Sequence, residues 1–211
     1  MQTDRIKVNS NGNGIERALD EASKFASYIE LDRSKALRIR LLSEETMGMV
    51  STITEDFEAE FWIEGSKDEV CSIHLLANTR MNSEKKQELI AASTDKKNAA
   101  AKGFMGKIKE IIENGLYGIN DIEQLNEAYG GAMLMYGSMG AADFENAAMR
   151  SCVTLWSLEK YKNSIGEAKD TDEAAGEAWD ELEKSIVASL ADDVRVAISG
   201  DKVEMVIEKK F

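Results

Sequence analysis

The chain has 211 residues, 43% hydrophobic and 31% charged, with a net charge of −13 at pH 7. That composition supports one sizeable folded domain and excludes a disordered chain. The acid excess excludes a general nucleic-acid binder, whose basic surface displaces counterions from phosphates. It suits a protein that meets basic or neutral protein partners. Cys71 and Cys152 lie far apart, the start "MQTDRIKVNS" is polar, and no apolar run reaches membrane length. These features predict a cytoplasmic protein with reduced thiols and no membrane partner.

"RIKV" (5–8) alternates as a short strand, and "NSNGNG" is a turn. Ile15, Leu19, Ala22, Phe25 and Ile29 recur at helical spacing, and Asp32 then caps a second helix running to about Ile53. "FEAEFWIEG" and "EVCSIHLLA" read as an antiparallel hairpin. "SEKKQELIAAS" and "KGFMGKIKEIIENG" return to helix. Residues 116–170 are rich in Met, Ala and Gly, with Met133, Met135, Met139 and Met149 close together, and read as inserted helices broken near 137–140. A helix from Asp172 to Leu190 and the hairpin "VRVAIS-GD-KVEMVIE" close the chain. Proline is absent, so helices must end on glycine, asparagine and aspartate. No internal repeat is apparent. The element order predicts a single α+β domain over 1–211: a two-layer sandwich, mostly antiparallel sheet covered by helices, with a helical insertion at 116–170.

"LLSEETMGMV" (41–50) places two carboxylates and a glycine in an apolar helical stretch. At 100° per residue Glu44 and Gly48 fall within about 40° of each other, beside the apolar stripe, with Glu45 nearer its centre. Such a carboxylate can border a cleft. The simpler reading is a solvated rim, with Gly48 admitting a neighbouring helix. In "KGFMGKI" (102–108) two glycines open a helix, leaving N–H groups and a dipole that favour an anion. Lys96, Lys97, Lys102, Lys107 and Lys109 gather positive charge there. A phosphate cradle and an ordinary helix start both fit, since a G-x-x-G pair is a weak signal. His74, the only histidine, sits in an alternating strand and reads as structural. No P-loop, no nucleophile elbow and no ligand-spaced cysteine pair occurs.

Together these features resemble the gyrase/histidine-kinase type ATPase superfamily, or Bergerat fold, and most closely its anti-sigma-factor serine kinase branch. The likeness covers residues 4–113 and 172–211. "ALRIRLLSEETMGMV" is similar to that branch's S-E-x-x-x-N-x-[VI] box, matched by Ser43, Glu44 and Val50. The resemblance implies that Glu44 stands where the catalytic base would be. Gly48 stands where an asparagine would hold Mg²⁺. Asn78, in "LLANTRMN", replaces the aspartate that contacts adenine, and Lys102, Gly103, Phe104, Met105 and Gly106 match the glycine-rich lid.

With the asparagine and aspartate replaced, the resemblance implies a bacterial regulatory protein that acts by protein contact. It requires no cofactor; ATP or ADP would bind weakly, and Mg²⁺ only through a substitute ligand such as Glu45. Two alternatives remain open. One is an active ATP-dependent serine kinase. The other is an assembly module using the 116–170 insertion, with exposed methionines, Tyr136 and Trp156 as its surface. A homodimer fits any of the three.

Overall fold

Strand β1 (Ile6–Asn9) ends in a turn built by its own last side chain. Asn9 Oδ1 accepts the backbone N–H groups of Asn11 and Asn13, each at 3.1 Å. Gly12 and Gly14 take φ 82° and 84°, in the left-handed region. Gly14 then serves as N-cap of helix α1 (Ile15–Tyr28). The structure, a computed structural model, describes residues 1–53, 57–67, 70–79, 133–134, 154–199 and 202–211.

Helix α1 buries Ala18, Leu19, Ala22, Phe25 and Ala26, the stripe its spacing predicts. Its end is not the glycine or asparagine expected of a proline-free chain. Glu30 takes φ 57° instead, and the Leu31 N–H donates to Ala26 O at 2.9 Å. Leu31 packs on the core, so an apolar contact holds the stop that glycine usually supplies.

Helix α2 (Arg33–Ile53) starts at Asp32 as expected. Asp32 Oδ1 accepts the Lys35 N–H at 3.0 Å, and that bond holds its carboxyl below the usual range. Arg40 ties α2 to α1 by donating to Ser23 Oγ at 3.0 Å and Leu19 O at 3.3 Å.

Strands β2 (Phe57–Glu64) and β3 (Cys71–Thr79) form the expected hairpin, pairing from Phe57↔Thr79 to Glu64↔Ser72. Strands β6 (Asp193–Ser199) and β7 (Lys202–Lys209) form the second, closed at Ser199↔Lys202. Between the hairpins in sequence lie β4 (Met133–Leu134), β5 (Thr154–Ser157) and helices α3 (Leu158–Ala168), α4 (Glu173–Glu183) and α5 (Ile186–Leu190). The seven described strands join one antiparallel sheet in the order β1-β2-β3-β7-β6-β5-β4. This is the expected α+β sandwich.

Two sequence expectations are corrected. Residues 116–170, read as helical, contribute β4 and β5 to the sheet; "TLWS" pairs with β6 from Thr154↔Ile198 to Ser157↔Arg195. Methionine and alanine content reports helix propensity, but β-branched and aromatic residues beside an open strand edge pair with it. The single helix expected from Asp172 to Leu190 is two, because Ser185 caps a new start by accepting the Ala188 N–H at 3.3 Å. The helices expected within 80–132 and the break at 137–140 lie outside the described residues.

A repeat also emerges that the sequence hides. β1-α1-α2-β2-β3 and β5-α3-α4-α5-β6-β7 are both strand, helices, strand, strand. In the sheet each unit runs from its first strand, farthest from the centre, to its last at the centre, with β4 added beyond β5, so β3 meets β7 at an approximate two-fold axis.

The helices cover one face of the sheet. Phe61, Ile63, Ile73, Leu75, Val196 and Met205 meet Phe25, Ile39, Leu42 and Met49 there in one continuous core. Each such side chain contributes about 1.5–3 kcal/mol through burial. The opposite face is also closed at its centre: Trp62, His74, Ala197, Glu204 and Val206 alternate with the core positions and are all buried.

Candidate functional site

On α2, Ile39, Leu42, Ser43, Thr46, Met47 and Met49 are buried, while Glu44 and Gly48 are exposed and Glu45 is half-buried. The two buried hydroxyls are satisfied within the helix: Ser43 Oγ donates to Ile39 O at 2.8 Å and Thr46 Oγ1 to Leu42 O at 2.6 Å. Glu44 and Gly48 therefore stand one turn apart on the same outward edge. No described atom lies within 4 Å of a Cβ built on Gly48, so no described helix uses that glycine for close approach.

Asn78 is exposed near the end of β3 and alternates with the buried core residue Ala77. It faces the side of the sheet turned away from α2, so Glu44 and Asn78 are not brought together. Lys102, Gly103, Phe104, Met105 and Gly106 lie outside the described residues, as does Tyr136. Trp156 does not belong to an exposed patch. It is 1% exposed, pairs with Val196 and packs against Tyr161 with ring centroids 5.9 Å apart. Its burial follows from its place in β5, on the face the helices cover.

The other face holds a buried polar group around His74, whose partners its own strand does not supply. His74 stacks on Trp62, ring centroids 4.7 Å apart and 8° from parallel, and the Arg5 guanidinium lies 4.1 Å from a Trp62 ring centroid. His74 Nε2 is 3.2 Å from Glu64 Oε1, and Nδ1 is 4.0 Å from Glu204 Oε1. "FWI" was the available signal: three consecutive apolar residues in an otherwise alternating strand mark burial on both faces. Among the described residues no group of three His, Cys, Asp or Glu side chains could hold a metal ion.

Cys71 is a buried free thiol that donates to Ser66 O at 3.7 Å. Burial pushes its pKa above the ordinary value of 9.0. The folded state therefore holds this proton more tightly than the unfolded chain. Its contribution to stability is complete below the unfolded value and lost as pH rises through the folded one. In a Cys152→Ser background, iodoacetamide at about pH 8 should label Cys71 far more slowly in the folded chain than after guanidinium unfolding. Equal rates would show the thiol to be accessible.

No described helix is long and apolar enough to cross a membrane. The fold is thus an α+β sandwich bearing an exposed glutamate–glycine edge and a buried histidine–carboxylate group. No protein family, curated protein or solved structure matches the chain.

Proposed function

We propose that the chain is a regulatory protein of the bacterial cytoplasm that acts by contact with a partner protein. Its framework is a histidine-kinase-like ATPase fold in which nucleotide binding is weak or lost. The observation that supports the reading is the paired exposure of Glu44 and Gly48 on one edge of α2. The glutamate of the resembled box is kept in an open position, while the residue four later offers no side-chain oxygen to a metal ion. Phosphoryl transfer relies on that metal to neutralise phosphate charge, so losing the ligand removes turnover before it removes the fold. Partner contact is then the work left to the scaffold.

The open space at Gly48 makes the test direct. Gly48→Asn fits without a clash among the described residues, and asparagine is no worse than glycine in a helix interior. Calorimetry with Mg²⁺–ATP should show millimolar or weaker binding to the native chain, and binding at least about tenfold tighter to Gly48→Asn. An unchanged isotherm in the folded variant would end the ATPase ancestry. Micromolar binding to the native chain would favour the serine kinase.

A further inference from the structure

We propose that His74 is a proton-dependent latch joining the two halves of the sheet, closed while its ring is doubly protonated and opened by deprotonation. The placement comes from the register. Leu75 and Met205 are cross-strand partners at the β3–β7 seam, and His74 precedes the one as Glu204 precedes the other. The histidine and the glutamate are therefore equivalent positions of the two repeated units, meeting at the approximate two-fold axis. Both are buried, at 1% and 0% exposure.

The chemistry comes from what the ring's two nitrogens face. Nε2 lies 3.2 Å from a carboxylate oxygen of Glu64, at the end of β2, and Nδ1 lies 4.0 Å from one of Glu204, on β7. A neutral imidazole has one N–H and one lone pair, so one carboxylate would meet a lone pair inside the protein. Only the imidazolium offers an N–H to each side. Two arginines also stand among the charged groups of this part of the sheet: Arg5 pairs with Glu60 at 3.3 Å, and Arg195 pairs with Glu208 and lies 3.7 Å from Asp193. Trp62, stacked on the ring, favours its cationic form and fixes its plane.

Removing the proton takes away the positive charge that lies beside both carboxylates at the seam shared by β2, β3 and β7. Histidine is the side chain whose ordinary titration lies nearest physiological pH, and a buried charge pair across two halves of a fold is a bistable element it can bias.

His74 is the chain's only histidine, so one ring signal reports it without mutagenesis. The full chain, ¹³C-labelled in histidine, is titrated by NMR while urea midpoints are recorded at each pH. At about pH 7.5 the ring should still show imidazolium shifts, beyond the range where free histidine is neutral. Raising the pH further should neutralise the ring and lower the urea midpoint together, because a proton held in the folded state stabilises only below its folded titration. Glu64→Gln, at a half-exposed strand end, should fold and move the ring titration down by about one pH unit. Glu204→Gln should move it further. A ring already neutral at about pH 6.5 would overturn the latch. So would a ring titration without a change in urea midpoint, or one unmoved by Glu64→Gln.

Discussion

Gly14→Ala should lower stability by roughly 3–5 kcal/mol, while Gly12→Ala two residues earlier should cost about 1–2 kcal/mol. Both glycines hold nearly the same left-handed φ, 82° and 84°, so the backbone penalty of adding a side chain is shared. The surroundings differ. A Cβ on Gly12 meets no described atom within 4 Å, but one on Gly14 would lie 2.0 Å from the Lys7 carbonyl oxygen. That oxygen belongs to β1, paired along its length with β2, and cannot swing aside as a flexible side chain would. The clash must push helix α1 away from the strand, loosening Ala18 and Ala22, both at 0% exposure against the sheet. Urea denaturation of the two variants in parallel isolates the contact from the φ penalty. Equal losses would mean that Gly14 is kept for its backbone angle alone. The larger value is a big share of the 5–15 kcal/mol that holds a typical domain together.

Local features of the sequence located much of this fold. The Asn9–Gly14 turn, the α1 stripe, the Asp32 cap and both long hairpins depend on neighbours within a few residues, and each appears where its pattern places it. What stayed hidden depends on distant partners. "TLWS" is too short to declare itself a strand until β6 offers an edge. Ser185 could equally have been a helix residue; its capping bond becomes decisive only because α5 starts anew there and buries Val187 and Ala188 in the core. The repeated unit is invisible because packing constrains residue class, not identity: His74 in one unit is Glu204 in the other.

The candidate site was legible to the same degree. Helical geometry correctly set Glu44 and Gly48 together on an edge of α2, since both lie on one helix. Strand alternation, by contrast, turns Asn78 away from that edge, a relation between layers that no single periodicity reports. The carboxylates around His74 are hidden from the sequence for a related reason. Period-2 patterning separates an inner from an outer face, but a sheet closed on both sides at its centre breaks the rule. In "FEAEFWIE" the strand ends still alternate, while Phe61, Trp62 and Ile63 are all buried. A polar residue in such a doubly buried stretch must meet partners supplied by other strands, and His74 meets them on β2 and β7.

Leu42→Ala should destabilise the chain by about 2–5 kcal/mol, whereas Glu44→Ala two residues on should change stability by less than about 0.5 kcal/mol. Leu42 is fully buried among the residues that join α2 to the sheet, so truncation removes apolar contact and leaves a cavity that a helix pinned by Arg40 to α1 is poorly placed to close. Glu44 projects outward, and alanine restores the helix propensity its removal disturbs. Urea midpoints for the pair measure the orientation of α2 directly. Comparable losses would mean that Glu44 is buried and the helix rotated. If instead the predicted gap appears, Glu44→Ala becomes a clean probe: an effect of that substitution on partner or nucleotide binding then belongs to the exposed edge itself, because the scaffold beneath it is unchanged.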